Sequence, residues 1–478
     1  MSSESSVWRI HGVEYNLIPF LDEHPGGKDV LLTAMNQADA SAMFESYHAL
    51  SGQQDRIWKL LQKYRVEKAT DCDEKSFQVD KSKVSVNDSM LAATHVSRDT
   101  CENVCNFEET AKERRAALFP DDGFYRTLAH RLKAYFAEQA RKSGIDARSA
   151  LKATNWWTIK VSLYIALWLC VLITGICVRW ASWKLSAPML VMLGFLQGTF
   201  HIACGFCVMH DASHYAISTK PWLNELFSRM TNATLSWFHH IWARHHVYAH
   251  HSFTGDIRKD PDTKYGRPIF RKHPEDPYQF SPTMLQLQPW SSILLVLFPG
   301  QFLGQMLLYL KAFVKGRYLG VPVTHMSAIE DVWVVEVLVM LISHLVWWVG
   351  LPWIQTISYF CAMNMWYWMC IAPDHDTWES AFKNKKAGEM DWGEMQVRES
   401  GSFAVNMPWV CSLFGGINYQ IEHHLFPGIS HVHYPQISPI IQQTCEEFGI
   451  PYNKHGTWMS AIHSVIRNYR ECGKAKSK

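Results

Sequence analysis

The stretch WTIKVSLYIALWLCVLITGICV, Trp157–Val178, decides the architecture. Its 22 residues carry a single charge, Lys160, near the start. A helix needs about 20 mostly apolar residues to cross a bilayer core. A second such run, APMLVMLGFLQGTFHIACGFCVM (Ala187–Met209), follows after a short connection containing Arg179 and Lys184. Three more apolar runs lie downstream: Ser291–Leu310, Val332–Val349 and Leu351–Cys370, the last two separated by Gly350 alone. The expected fold is mainly α: an integral membrane helical domain of about four transmembrane helices plus interfacial helices. Ser291–Leu310 contains Pro299-Gly300, Gln301 and Gln305, which suits an interfacial or re-entrant helix rather than a span. Lys and Arg are dense before the first run (Arg131, Lys133, Arg141, Lys142) and after the last (Lys383, Lys385, Lys386). That bias predicts a multi-pass protein with both termini in the cytosol.

Working outward, residues 1–66 read as a small soluble domain, 67–120 as a polar linker and 121–478 as the membrane domain. Flexible-chain scaling gives a linker of this length ends on the order of 40 Å apart, a loose tether. Between linker and membrane, Phe124–Gln139 carries apolar residues at Phe124, Leu128, Leu132 and Phe136, one stripe of a helix. The 46 Lys+Arg and 44 Asp+Glu nearly cancel, so no basic field exists to hold nucleic acid. The 48% hydrophobic content excludes disorder of the whole chain. The 21 Trp agree with a membrane interface. Of the 12 Cys, six (Cys170, Cys177, Cys204, Cys207, Cys361, Cys370) lie in apolar runs and read as small buried hydrophobes. The first ten residues have no apolar h-region, so no secretory signal is expected.

His24-Pro25-Gly26-Gly27 is followed 24 residues later by His48. Asp29–Met35 and Ala38–Phe44 can form two short helices between them, presenting one imidazole to each face of an iron. Pro25 and the glycines let the backbone turn and approach a flat ligand closely. With Tyr15 and Pro19-Phe20-Leu21 upstream, residues 5–66 resemble a cytochrome b5 domain. The resemblance implies a small α+β module with a b-type haem on His24 and His48.

Three histidine clusters come next. They are His210-Asp211-Ala212-Ser213-His214, His245-His246-Val247-Tyr248-Ala249-His250-His251 and Gln420-Ile421-Glu422-His423-His424. A spacing of i, i+4 puts His210 with His214, and His246 with His250, on one face of a helix. Imidazole-rich sites without thiolate suit iron, zinc, copper or nickel. Zinc takes three or four ligands, so seven box histidines favour two metal ions, and together they suggest a dinuclear iron centre for oxygen chemistry.

With Asn418-Tyr419 before the last cluster and Leu425-Phe426-Pro427-Gly428 after it, the chain resembles a membrane fatty-acid desaturase. The fused haem module, and Gln420 at the first position of its box, are similar to the front-end class. The resemblance implies iron ligation by His210, His214, His246, His250, His251, His423 and His424, with Gln420 at the variable position. Pro373-Asp374-His375-Asp376 stands where the family has one more ligand, which makes His375 a candidate; Asp374 replaces the usual Asn. No catalytic residue beyond the metal ligands is implied. His201, His239, His240, His245, His344, His431 and His433 read as supporting or interfacial residues. Asp391–Gln396 reads as support for the last box, and the Met-rich run Cys361–Cys370 as span packing or an acyl-chain wall.

The resemblance further implies O₂-dependent insertion of a cis double bond between an existing one and the carboxyl end of a polyunsaturated acyl-CoA or acyl-lipid. Electrons come through the fused haem from a cytochrome b5 reductase, in the endoplasmic reticulum membrane. The HxxxHH form of the second box favours delta-4 or delta-5 over delta-6 or delta-8 chemistry. A sphingoid-base delta-8 desaturase and a lipid hydroxylase share the motifs. A haem electron-transfer membrane protein, from another class, would need His24 and His48 alone, and iron content separates it from the enzyme.

Overall fold

The computed structural model describes residues 6–66, 113, 115–264, 271–273, 300–323, 334–381 and 390–474. The N-terminal module opens with an antiparallel hairpin, β1 (Trp8–Ile10) and β2 (Val13–Tyr15), in which Trp8 faces Tyr15. Both aromatic rings are buried. Three helices follow: α1 (Lys28–Ala34), α2 (Ser41–His48) and α3 (Gln54–Gln62). The second helix was expected over Ala38–Phe44. It starts later because the Asp39 carboxylate accepts from the Ser41 backbone N–H at 2.9 Å, a local turn that competes with helix. It then runs on to His48, so that ring sits at a helix end.

The amphipathic arm is α4 (Phe124–Ser143), with Phe124, Leu128, Leu132 and Phe136 all buried. Gly144, at φ 65°, closes it in the left-handed conformation. The first apolar run forms α5 (Asn155–Trp180), capped by the Thr154 side chain accepting from Trp157 N–H. The second forms α6 (Ala187–Cys204), prolonged to Ser213. These two, of 26 and 27 residues, are long and apolar enough to cross a bilayer. Next come α7 (Pro221–Thr234), α8 (His239–Trp242), α9 (Gly300–Lys315), α10 (Val334–Leu345) and α11 (Trp353–His375). With its extension to Gly350, α10 is a shorter apolar helix. Of the run Ser291–Leu310, residues 291–299 lie outside the described residues, as do 332 and 333 of the following run; the remainder of each falls in α9 and α10. The C-terminal helices include α12 (Trp392–Glu399), α13 (Gln420–Leu425), α14 (Tyr434–Glu447) and α15 (Trp458–Gly473), with short helical turns at Trp378–Ala381 and Pro408–Leu413.

Close contact of α6 with α11 organises the membrane domain. Gly194 and Gly198 are spaced four apart on α6. A Cβ on Gly194 would stand 2.3 Å from the Gln355 carbonyl oxygen, and one on Gly198 2.5 Å from that of Tyr359. Small residues at this spacing let helix backbones touch inside a membrane. Gln355 Nε2 donates to Gln197 Oε1 across the same seam at 2.8 Å, a bond between two amides that lipid could not make. On the outer side, Ile159, Leu163 and Ile173 of α5 are exposed, the face that lipid would cover. Cys170 is exposed there too, while Cys177 and Cys361 are half-buried. This corrects the reading of all six apolar-run cysteines as buried: three look outward, toward an environment as apolar as a core.

The N-terminal module is packed on the membrane domain rather than loosely tethered. Arg229 of α7 donates to Asp29 of α1 at 2.6 Å and to Glu336 of α10 at 3.4 Å. The Tyr248 hydroxyl donates to the Asp39 carbonyl at 2.8 Å. Residues 67–112 of the expected linker lie outside the described residues. Its last residues are built in: Arg115 lies over the Trp58 ring at 4.4 Å, and Phe119 is buried against Tyr125 and Trp392.

Candidate metal centre

The first histidine box begins at the end of a widened helical turn and continues as α-helix over Asp211–Ser213, and the second sits on widened helix up to His250. Gly205–His210, at the end of α6, and Ala243–His250, continuing α8, are π-helical. Their bonds run i→i+5, and such turns concentrate at functional segments. This corrects the α-helical geometry expected from the spacing. The wider turn brings His251 as well as His250 beside His246, with ring centroids 4.9 and 5.4 Å away. An ordinary helix would splay adjacent residues by about 100°.

The boxes meet in two groups. His210, His214, His246 and His423 each offer a ring nitrogen within 4.8 Å of the others. His250, His375 and His424 do the same beside them. His251 lies between, its Nε2 3.0 Å from that of His423 and its ring stacked on His424 at 4.2 Å. The Gln420 amide touches the second group, 3.0 Å from His375 Nε2 and 3.1 Å from His424 Nε2. All nine side chains named from the sequence thus lie together.

Hydrogen bonding on the outer nitrogens fixes which atoms face inward. His250 Nδ1 donates to the Asp260 carboxylate at 3.1 Å, His375 Nδ1 to the Glu399 carbonyl at 2.8 Å, and His424 Nδ1 to Gln396 Oε1 at 2.9 Å. These partners accept, so each Nδ1 carries a proton and each ring turns its Nε2 inward, with a lone pair there whenever the ring is neutral. Yet His250 Nε2 and His375 Nε2 stand 3.2 Å apart. A shared cation there, a proton or a metal ion, would bridge the two nitrogens. Burial, then the neighbouring imidazoles, holds His214, His246, His251, His423 and His424 below the ordinary histidine range, so they stay neutral and able to ligate. At His250 burial also disfavours charge, but the Asp260 and Asp262 carboxylates prevail and push it up to about 9. The donor set fits metal ions that favour imidazole, and those implied by the family are iron.

Of the seven histidines read as supporting, six bond protein groups. His201 meets the Tyr359 hydroxyl at 2.6 Å, His239 the Ser228 hydroxyl at 2.8 Å, and His344 the Ser236 hydroxyl at 2.9 Å. His245 bonds Asp262 at 2.5 Å, His433 the Lys152 carbonyl at 2.9 Å. His240 is buried next to Phe238. His431 bridges Asp211 and Lys160, 2.8 Å from each, which gives the lone charge of the first span a buried partner. Asp260, Gln396, Tyr434 and Tyr47, which hydrogen-bond box histidines, were not singled out as such. Only Gln396 had a signal, its place in the stretch beside the last box.

A cleft of about 550 Å³, mouth included, opens onto both groups. Phe206, Met209, Trp237, Tyr367, Ile371 and Ile417 form its apolar wall, and His246, His250, His375 and Gln420 its end. From the Met-rich run only Tyr367 reaches this wall; Met363 packs in the core.

In the N-terminal module the His24 and His48 rings face each other with centroids 6.4 Å apart. His24 Nδ1 donates to the Gly27 carbonyl at 3.0 Å and His48 Nδ1 to the Phe44 carbonyl at 2.7 Å, leaving both Nε2 lone pairs for an iron. A Cβ on Gly26 would come 2.7 Å from His24 Cε1, so glycine there leaves the ring free. Gly27, at φ 89°, abuts Pro221 and Glu225 of α7. The residues fit a haem held from both faces.

Residues 185–456 match the family described as fatty acid desaturase, and residues 1–69 the cytochrome b5-like heme/steroid binding domain. Among curated relatives, an sn-1 linoleoyl-lipid 6-desaturase of Synechocystis is 28% identical over 74% of this chain and 96% of its own length. A probable Delta(5) fatty acid desaturase C of Dictyostelium discoideum is 24% identical over 97% and 91%. An acyl-lipid (8-3)-desaturase of Mortierella alpina is 25% identical over 97% and 93%.

Proposed function

The chain belongs to the fatty acid desaturase family, and on that premise we propose that it is a front-end polyunsaturated fatty-acyl desaturase fed through its own haem module. The observation that carries this reading is the apolar cleft ending on two converging imidazole groups. An acyl chain has no polar handle along its length, so a dry wall must position it. A displacement of about 1 Å costs on the order of 100-fold in rate, which makes the wall at Trp237, Tyr367 and Ile371 the determinant of which carbons react.

In this reading His210, His214, His246 and His423 hold one iron and His250, His375 and His424 the other, with His251 between them and Gln420 beside the second. Bound there, the two ions supply the activation of O₂ and the oxidising power that removes two hydrogens from neighbouring methylenes. Asp260, Gln396 and the Glu399 carbonyl keep the ring protons on the outer nitrogens. The apolar wall excludes water. His24 and His48 hold a b-type haem that takes electrons from a cytochrome b5 reductase.

The names of the relatives place double bonds at position 5 or 6 or use an (8-3) designation. The HxxxHH second box favours position 4 or 5. The charge bias supports both termini in the cytosol, and in this reading the chain sits in the endoplasmic reticulum membrane. Expression in a yeast fed several polyunsaturated acids, read by gas chromatography, tests the function. A new cis bond on the carboxyl side of an existing one is expected. A hydroxylated product, or a bond on the methyl side, would overturn the reading.

A further inference from the structure

The Nδ1 atoms of five histidines in the two groups have an identified outer partner. His250 uses Asp260, His375 the Glu399 carbonyl, His423 the Tyr434 hydroxyl and His424 Gln396. All four of these partners come from the membrane domain. The fifth does not. His214 Nδ1 stands 2.8 Å from the hydroxyl of Tyr47, on α2 of the haem module, one residue before His48.

His214 is fully buried, and its Nε2 has no hydrogen-bond partner among the described residues. That nitrogen belongs to the group with His210, His246 and His423. If Tyr47 donated to Nδ1, the ring proton would sit on Nε2, a buried donor with nothing to receive it, which is costly. If Nδ1–H donates to the tyrosine oxygen, Nε2 turns a lone pair inward, as in the other rings. The turn after box three passes close to this tyrosine: a Cβ on Gly428 would meet its ring at 3.7 Å. The Asp29–Arg229 and Asp39–Tyr248 contacts hold the module in the position that allows this bond.

We propose that Tyr47 is a positioning residue for the metal centre: its hydroxyl accepts the Nδ1 proton of His214, so that docking of the haem module completes the support of one metal group. The inference rests on the metal reading given under Proposed function. Adjacent residues on α2 then serve two centres, with Tyr47 turned toward the membrane domain and His48 toward the haem crevice. Detachment of the module would leave His214 free to take the other tautomer.

The test uses the purified full-length chain, stripped of non-haem iron and titrated anaerobically with ferrous iron, with haem absorbance recorded alongside. Removing the outer partner of a ligand histidine typically costs about 10- to 100-fold in metal affinity. Tyr47→Phe is expected to weaken one of two ferrous ions by about that factor and to leave the other ion and the haem spectrum unchanged. In a His214→Ala background, adding Tyr47→Phe is expected to change nothing further, which separates action through His214 from general loosening. A wild-type chain that binds two ions and a Tyr47→Phe chain that binds both equally well would overturn the inference alone. An equal further loss in the His214→Ala background would also overturn it. A wild-type chain that takes up no iron beyond its haem would overturn the metal reading and this inference with it.

Discussion

His250 Nε2 and His375 Nε2 stand 3.2 Å apart while both rings commit their Nδ1 protons to acceptors, Asp260 and the Glu399 carbonyl. One residue comes from the second histidine box and the other from the end of a helix 125 residues on. That approach sets His375 within the second imidazole group. His375→Ala should therefore abolish desaturation and remove about one of two non-haem irons per chain, with the haem retained. Paired metal analysis and product yield at matched protein level checks this. An active His375→Ala chain with full iron would reduce His375 to a bystander.

Gln420 tests the fit of the variable position. Its amide lies within hydrogen-bonding distance of both His375 and His424. An imidazole there is a better ligand for a borderline metal than an amide. It would also be bulkier and would compete with the two rings it touches. Gln420→His is expected to lower activity despite adding a ligand, measured as turnover per non-haem iron. Equal or higher turnover would show that the amide is merely tolerated.

The haem module can be silenced at its own ligand. His24→Ala should abolish the b-type haem absorbance while leaving non-haem iron in place, because His24 lies in the N-terminal module and the membrane-domain histidines are unchanged. Product should fall to a small fraction of wild type even in a host with its own cytochrome b5. The packed interface around Asp29 and Arg229 leaves little room for a substitute donor. Wild-type yield from His24→Ala would point to an external electron carrier.

Much of this was legible in the chain. The apolar runs, the histidine boxes and the His24–His48 pair are local patterns: the first two runs form the two long apolar helices, and the boxes and the pair each come together in space. Other features were out of reach of local pattern. The π-helical turns that gather His246, His250 and His251 leave no mark in a histidine spacing, since i, i+4 reads the same in either helix. The Tyr47–His214 bond joins residues 167 apart, and an ordinary tyrosine beside a haem ligand carries no sign of it. The packed linker end was missed because Arg115 and Phe119 sit in a stretch whose average is polar.

Gly194 tests the scaffold. A valine there would press its branched side chain into the Gln355 carbonyl, where even a Cβ stands 2.3 Å away. Gly194→Val should force α6 from α11 and lower stability by about 1–3 kcal/mol or more, seen as an earlier thermal unfolding in detergent. Ala at an outward position such as Leu163, exposed on α5, should have a much smaller effect.

The central claim is that the two imidazole groups hold two irons distinct from the haem. Total iron and haem, measured on the same sample of purified wild-type chain, address it directly. The account predicts three irons per chain, one accounted for by haem absorbance and two not. Iron equal to haem, in a preparation that is folded and carries the b-type spectrum, would contradict it.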